Sequence, residues 1–233
     1  MPPAHAIQSA RERLLDEGLR LLLMHGYNSL GVQTLLDAAG VPKGSFYHHF
    51  ESKQDFALKV IDRYMEEVHA GLDACLNAPD SSSLERIRRF FELSRDKYGR
   101  EGYLGCMLGG LGQELSGVND TFRSKIEGCF SHIAERLAAC LAQAREAGEV
   151  PGSVEPRQAA DLLLNCWEGA ALRSRLWRDP MPLDAVLDFC FSALRSGAAA
   201  SGAGAPEMRS GAAPDRNVVP GDDNAHGKTQ QWR

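Results

Sequence analysis

The chain has 233 residues, 43% of them hydrophobic and 24% charged, with a formal net charge of −5 at pH 7. That length can bury a substantial core, as one larger domain or as a small and a large one, and the composition is that of an ordinary globular protein. No apolar run approaches the roughly 20 residues that cross a bilayer, and MPPAHAIQSARERL lacks a signal-peptide hydrophobic region, so the chain reads as soluble and cytoplasmic, with no membrane contact.

In chain order, Ile7, Ala10, Leu14, Leu21 and Leu22 mark one face of a first helix that His25-Gly26 stops. A short helix is predicted over Val32–Ala39, with Val32, Leu35, Leu36 and Ala39 turned inward and Gly40 as its permissive end. Pro42 suits the first turn of a brief helix over Lys43–His49, and Ser52 caps a long one over Lys53–Leu76. NAPDSSS breaks the pattern before a helix over Leu84–Tyr98. Asn119-Asp120 opens a long amphipathic helix through Phe122, Ile126, Cys129, Ile133, Leu137, Cys140 and Ala144, ended by Gly148 and Pro151-Gly152. Two further helices, over Pro156–Trp177 and Leu183–Arg195, are separated by DPMP. From Gly197 the chain is rich in Gly, Ala, Ser and Pro and reads as a disordered tail. The fold class is therefore all-α.

The six cysteines, at 75, 106, 129, 140, 166 and 190, never fall as C-x-x-C, and several occupy apolar helical positions. A disulfide scaffold or zinc site is not expected, and no cofactor is called for. Residues 1–64 carry seven Lys/Arg and seven Asp/Glu, so charge there neither makes nor excludes a nucleic-acid partner.

A helix of about eight residues, a turn containing Gly-Val-Pro and a second short helix make a helix-turn-helix, whose second helix enters the major groove. Lys43 brings a cation, Gly44 close approach and Ser45 a donor or acceptor; Tyr47 and His48 offer ring edges and polar tips. Phe46 and Phe50, at i and i+4, face inward, and Lys53 reaches phosphate from the start of the next helix. Adjacent His48 and His49 cannot both face one metal ion from a helix, where i,i+4 spacing is the usual arrangement. A helical pair used only for packing is the alternative.

GVPKGSFYHHFESKQDF, residues 40–56, resembles the DNA-binding signature of the TetR family of bacterial transcriptional regulators: Gly-Val, Lys-Gly, aromatic-Tyr-x-His-Phe, then Lys three residues on. The resemblance implies a three-helix DNA-binding domain (1–52), a helical effector-binding and dimerisation domain (53–196) and a tail (197–233). It implies a homodimer joined through its last two helices, a double-stranded operator and a small-molecule or electrophile effector. By position, Tyr47 and Lys53 would grip phosphates; Lys43, Ser45 and His48 would sit at or near bases; Gln33 and Thr34 would lie near the backbone; and His49 would pack and bond backbone. Gly31 stands where the family often has a capping Thr or Ser.

GYLGCMLGGLGQELSG, residues 102–117, has glycines but neither Gly-Lys-Ser/Thr nor a preceding strand, so nucleotide binding is not expected. Together with WEGAALRSRL (167–176) it resembles the part of the family that contains electrophile-sensing and acrylate-responsive repressors. Cys106, placed to start a helix that would supply part of the condition, is then a sensor, which requires partial exposure and a lowered pKa, or else a small packed hydrophobe. Trp167 and Glu168 are candidates for the effector pocket, with core and solvated face as the alternatives. The reading is a dimeric repressor released by an effector or by modification of Cys106. The alternatives are a helix-turn-helix activator, or a thiol enzyme with Cys106 as nucleophile and a histidine such as His132 as base.

Overall fold

The computed structural model describes residues 9–197; Ile7 and the segment from 198 onward, with nearly all of the expected tail, lie outside the described residues. Those described form nine helices and no strand. α1 (Ala10–Ser29) opens with a capping box: Ser9 Oγ accepts the Glu12 N–H at 3.2 Å, and the Glu12 carboxylate accepts the Ser9 N–H at 2.9 Å. It breaks where the sequence places its end, at Gly26, whose φ of 75° and ψ of 178° only glycine adopts without strain. Tyr27 to Ser29 form a short offset turn beyond it. α2 (Val32–Ala39) has the predicted bounds and ends on Gly40 in the left-handed region. Gly31 precedes it and supplies no side-chain cap.

α3 (Phe46–His49) is shorter than predicted, because Gly44 has φ 90° and cannot belong to a right-handed helix. Pro42 to Ser45 instead make a turn closed by the Ser45 N–H on the Pro42 carbonyl at 3.1 Å, so Pro42, Lys43 and Gly44 precede the helix. α4 (Lys53–Leu76) is capped as expected, Ser52 Oγ accepting the Asp55 N–H at 3.0 Å.

α5 (Ser83–Arg100), α6 (Met107–Leu115), α7 (Asp120–Glu146), α8 (Pro156–Trp177) and α9 (Met181–Ser196) complete the order. α1 packs on α2 and α4; α4 continues against α5 and α7; α7 packs on α8, and α8 on α9. α1 approaches α4 closely at Gly18, where a Cβ would overlap the Phe56 ring. Phe46, Phe50 and Phe56 form one aromatic cluster, with centroids 5.0–5.5 Å apart, that ties α3 to α4. Cys75, Cys129, Cys140 and Cys190 are buried and Cys166 is half-buried, all free thiols, in keeping with their reading as packing residues.

Candidate functional site

The first group of predicted site residues lies around α2 and α3. Phe46 and Phe50 are 1% and 2% exposed, and with that face locked into the core the next residues point outward: Tyr47 is 69% exposed and His48 is exposed beside it. Lys43 and Gly44 stand exposed in the preceding turn, and Ser45 is half-buried. On α2, Gln33 and Thr34 are exposed, and Gln33 donates to Asp37 at 2.6 Å. Lys53 borders the same shallow recess as Gly31 and Val32, with its ammonium 4.5 Å from the centre of the Tyr27 ring. The turn, α3, the start of α2 and the start of α4 thus present a polar surface on an apolar base. His49 departs from expectation. It is exposed, with its ring edge-on to Phe50 at 6.3 Å, because only every third or fourth residue of so short a helix can reach the core.

The second group closes around a cavity of about 310 Å³ between α4, α5, α6, α7 and α8. Trp167, 3% exposed, packs with its ring tilted at 4.8 Å from Phe91 and 6.0 Å from Tyr98, so the indole is both core and cavity wall. Cys106 does start a helix, as the N-cap of α6, and its thiol accepts the Tyr64 hydroxyl at 3.7 Å. The lowered pKa that a resting sensor thiol needs is not there. Burial pushes the Cys106 thiol far above its usual range, the Glu168 charge adds to this, and the Gly109 N–H and Tyr64 hydroxyl only partly oppose it. Glu168 is itself raised by burial from 4.5 to about 7, against a hydrogen bond from Cys106 that pulls it down. A Cβ at Gly109 would overlap a Glu168 carboxylate oxygen, so α6 leaves room for Glu168 beside the thiol. Burial, followed by the Cys106 charge, holds the Tyr64 and Tyr98 phenols well above their usual range. Cys106 and the adjacent pair Trp167 and Glu168, far from it in sequence, therefore share one chamber. His132 is not in it and faces His69, ring centroids 4.8 Å apart.

Tyr64, Tyr98 and Glu114 belong to these sites and escaped the sequence reading. Tyr64 looks like an ordinary interior position of its helix and Tyr98 like the end of one, and only packing turns the Tyr64 hydroxyl to Cys106 and seats Tyr98 beside Trp167. Glu114 lies in the quoted glycine-rich stretch, but its partners are the N–H groups of Tyr27 at 2.8 Å and Asn28 at 2.6 Å, at the end of α1. On the outer side of α8 and α9, Leu162, Leu172, Leu176 and Phe189 are exposed, Phe189 to 73% and Leu176 to 70%.

Comparison with known proteins follows the same division. Residues 14–60 match the model of bacterial regulatory proteins of the tetR family, and residues 83–190 match that of a tetracyclin repressor-like C-terminal domain. The transcriptional regulator AcuR of Cereibacter sphaeroides is 37% identical over 75% of this chain and 80% of its own. The HTH-type transcriptional repressor NemR of Escherichia coli is 30% identical over 78% of this chain and 92% of its own. The crystal structure of regulatory protein TetR from Rhodobacter sphaeroides superposes with a TM-score of 0.76 at 35% identity, covering 78% of this chain and 97% of that one. Reduced NemR from E. coli superposes with a TM-score of 0.72 at 30% identity, covering 78% and 95%.

Proposed function

Since the chain belongs to the TetR family of bacterial regulatory proteins, we propose that it is a cytoplasmic homodimer that represses transcription from a near-palindromic operator and is released by an effector in the cavity beside Cys106. The observation that carries the DNA half is the split character of α3. Phe46 and Phe50 are spent on the core, which leaves Tyr47 and His48 exposed, the Tyr47 ring touching the core only edge-on to Phe46 at 5.2 Å. Lys43, Gly44, Ser45, Tyr47 and His48 meet the major groove; Lys53 holds phosphate at the start of α4; Gln33 and Thr34 lie beside the backbone. The regulatory domain takes over at α4, so residues 1–52 form the reading head and 53–196 the effector and dimer domain.

Dimerisation uses the outer face of α8 and α9. Leu162, Leu172, Leu176 and Phe189 leave an apolar surface that a second copy would cover by a four-helix bundle, and this sets the spacing between two reading heads. The effector is small and largely apolar: the cavity is at the lower end of ligand-site volumes, and Trp167, Tyr64 and Tyr98 wall it. Glu168 is its polar anchor. Cys106 is the point of covalent attachment for a thiol-reactive effector; because its resting thiol is protonated, reaction waits on a molecule that enters the chamber.

The test is fluorescence anisotropy on duplex DNA from upstream of the protein's own gene, at several salt concentrations, with and without N-ethylmaleimide as thiol probe. Salt-sensitive binding that the probe weakens in the native protein but not in Cys106→Ser is the expected result. Weakening that persists in Cys106→Ser would overturn the role of that cysteine. Failure to bind DNA above nonspecific levels would count against the reading head on this operator.

A further inference from the structure

We propose that Glu114 is the positioning residue through which α6 sets the attitude of the reading head and brings Lys53 to its phosphate. The inference rests on the DNA-binding reading above. α6 spans only nine residues, about 14 Å at the rise of an α-helix, and its two ends do different things. At its start Cys106 lines the cavity between α4, α5, α6, α7 and α8. Near its end the two carboxylate oxygens of Glu114 divide between two backbone donors, Oε2 accepting the Tyr27 N–H at 2.8 Å and Oε1 the Asn28 N–H at 2.6 Å. These charge-assisted bonds span 87 and 86 residues of sequence, and they grip the short turn that follows the break in α1.

The seat for that carboxylate is built into the backbone. Gly26 holds φ 75°, and a Cβ there would lie 2.6 Å from Glu114 Oε2, so the kink and the absent side chain together admit the carboxylate. Tyr27, gripped through its N–H, has its ring 5.1 Å from Phe122 of α7 on one side and 4.5 Å from the Lys53 ammonium on the other. Next to Lys53, Gln54 accepts from Asn119 Nδ2 at 3.0 Å, a second tie from the same end of α6 and α7 to the start of α4. One movement of α6, driven from the cavity, therefore reaches Tyr27 and Lys53 without passing through a flexible segment.

A carboxylate that merely fastened the fold would affect stability alone, so the decisive readout is the salt dependence of DNA binding. Glu114→Gln keeps the size of the side chain but turns an amide N–H₂ toward one of the two donors. Glu114→Asp keeps the charge and falls a methylene short. Each is compared with Lys53→Ala and with Glu114→Gln/Lys53→Ala on the same duplex, with amide hydrogen exchange followed over Tyr27 and Asn28.

The expected result is faster exchange at those two amides and DNA affinity lower by about tenfold for Glu114→Gln. The slope of log K against log salt should flatten to that of Lys53→Ala, by about one ion per reading head, and the double variant should be no flatter. Wild-type affinity in Glu114→Gln, or lost affinity with the wild-type slope, would overturn the proposal. If Glu114→Gln does not fold, Glu114→Asp decides by the same criteria. If Lys53→Ala itself leaves the slope unchanged, the phosphate role of Lys53 in the DNA-binding reading fails and the proposal falls with it, an outcome distinct from a wild-type slope in Glu114→Gln alone.

Discussion

Replacing Glu168 by Gln tests the electrostatics of the cavity directly. Burial raises the Glu168 carboxyl from 4.5 to about 7. Between those values the folded protein keeps a proton that the unfolded chain has released, so folding takes up a proton and stability falls as pH rises. The penalty is absent below the unfolded value and complete above about pH 7. At 1.36 kcal/mol per tenfold change in proton affinity, it amounts to roughly 3 kcal/mol. Glutamine has the shape of the protonated acid and carries no such penalty. Glu168→Gln should therefore match the native protein near about pH 4.5 and exceed it by up to roughly 3 kcal/mol at about pH 8. For a domain of this size that is about 6–12 °C in midpoint. Urea unfolding of both proteins at a series of pH values measures it, and the difference between the two curves isolates Glu168 from every other titrating group. A difference that does not vary with pH would refute the buried, charge-averse carboxyl. The same substitution removes the charge that helps hold the Cys106 thiol protonated, so iodoacetamide should label Cys106 faster in Glu168→Gln at alkaline pH, and a slower rate would contradict that electrostatic coupling.

Two further outcomes follow from the packing. Phe46→Ala empties the centre of the Phe46–Phe50–Phe56 cluster and should cost about 3–5 kcal/mol, read as a lower urea midpoint with DNA binding lost with it; a loss under about 1 kcal/mol would mean α3 is held some other way. Phe189→Glu puts a charge on the outer α9 face, where the native ring is 73% exposed. It should change the folding free energy of the single chain by less than about 1 kcal/mol while halving the molecular mass seen by light scattering; an unchanged mass would place the dimer contact elsewhere.

Helix existence and most helix ends were legible because their causes are local. Ser52 ahead of Lys53, Asn119 ahead of Asp120, and Gly40 past Ala39 act on backbone groups within four residues, and each does in the structure what its type and position predict. The inward pair Phe46 and Phe50 follows from helical spacing alone. The start of α3 differs from the predicted one for an equally local reason: Gly44 permits both a helix and a left-handed turn, and the choice between them belongs to the packing of Val41 and Phe46 around it. His49 was assigned to packing by resemblance, and the exposed ring shows that a motif position does not fix a side chain's surroundings.

The cavity lies at the other extreme. That Cys106 begins a helix is a local property and was readable. That its thiol is held protonated is not, because desolvation and the charge of a carboxyl 62 positions along the chain decide it, and both exist only once α4, α5, α6 and α8 have closed on one another. The Glu114 grip on Tyr27 and Asn28 has the same character, two hydrogen bonds across more than 80 residues that leave no periodicity, cap or motif behind. By itself, then, the sequence determined an all-helical chain headed by a helix-turn-helix, since backbone capping and side-chain period act within a turn or two. Only the tertiary structure decided which groups share a chamber, which of them hold protons, and how that chamber touches the reading head, because these depend on distances through space and on exclusion of water.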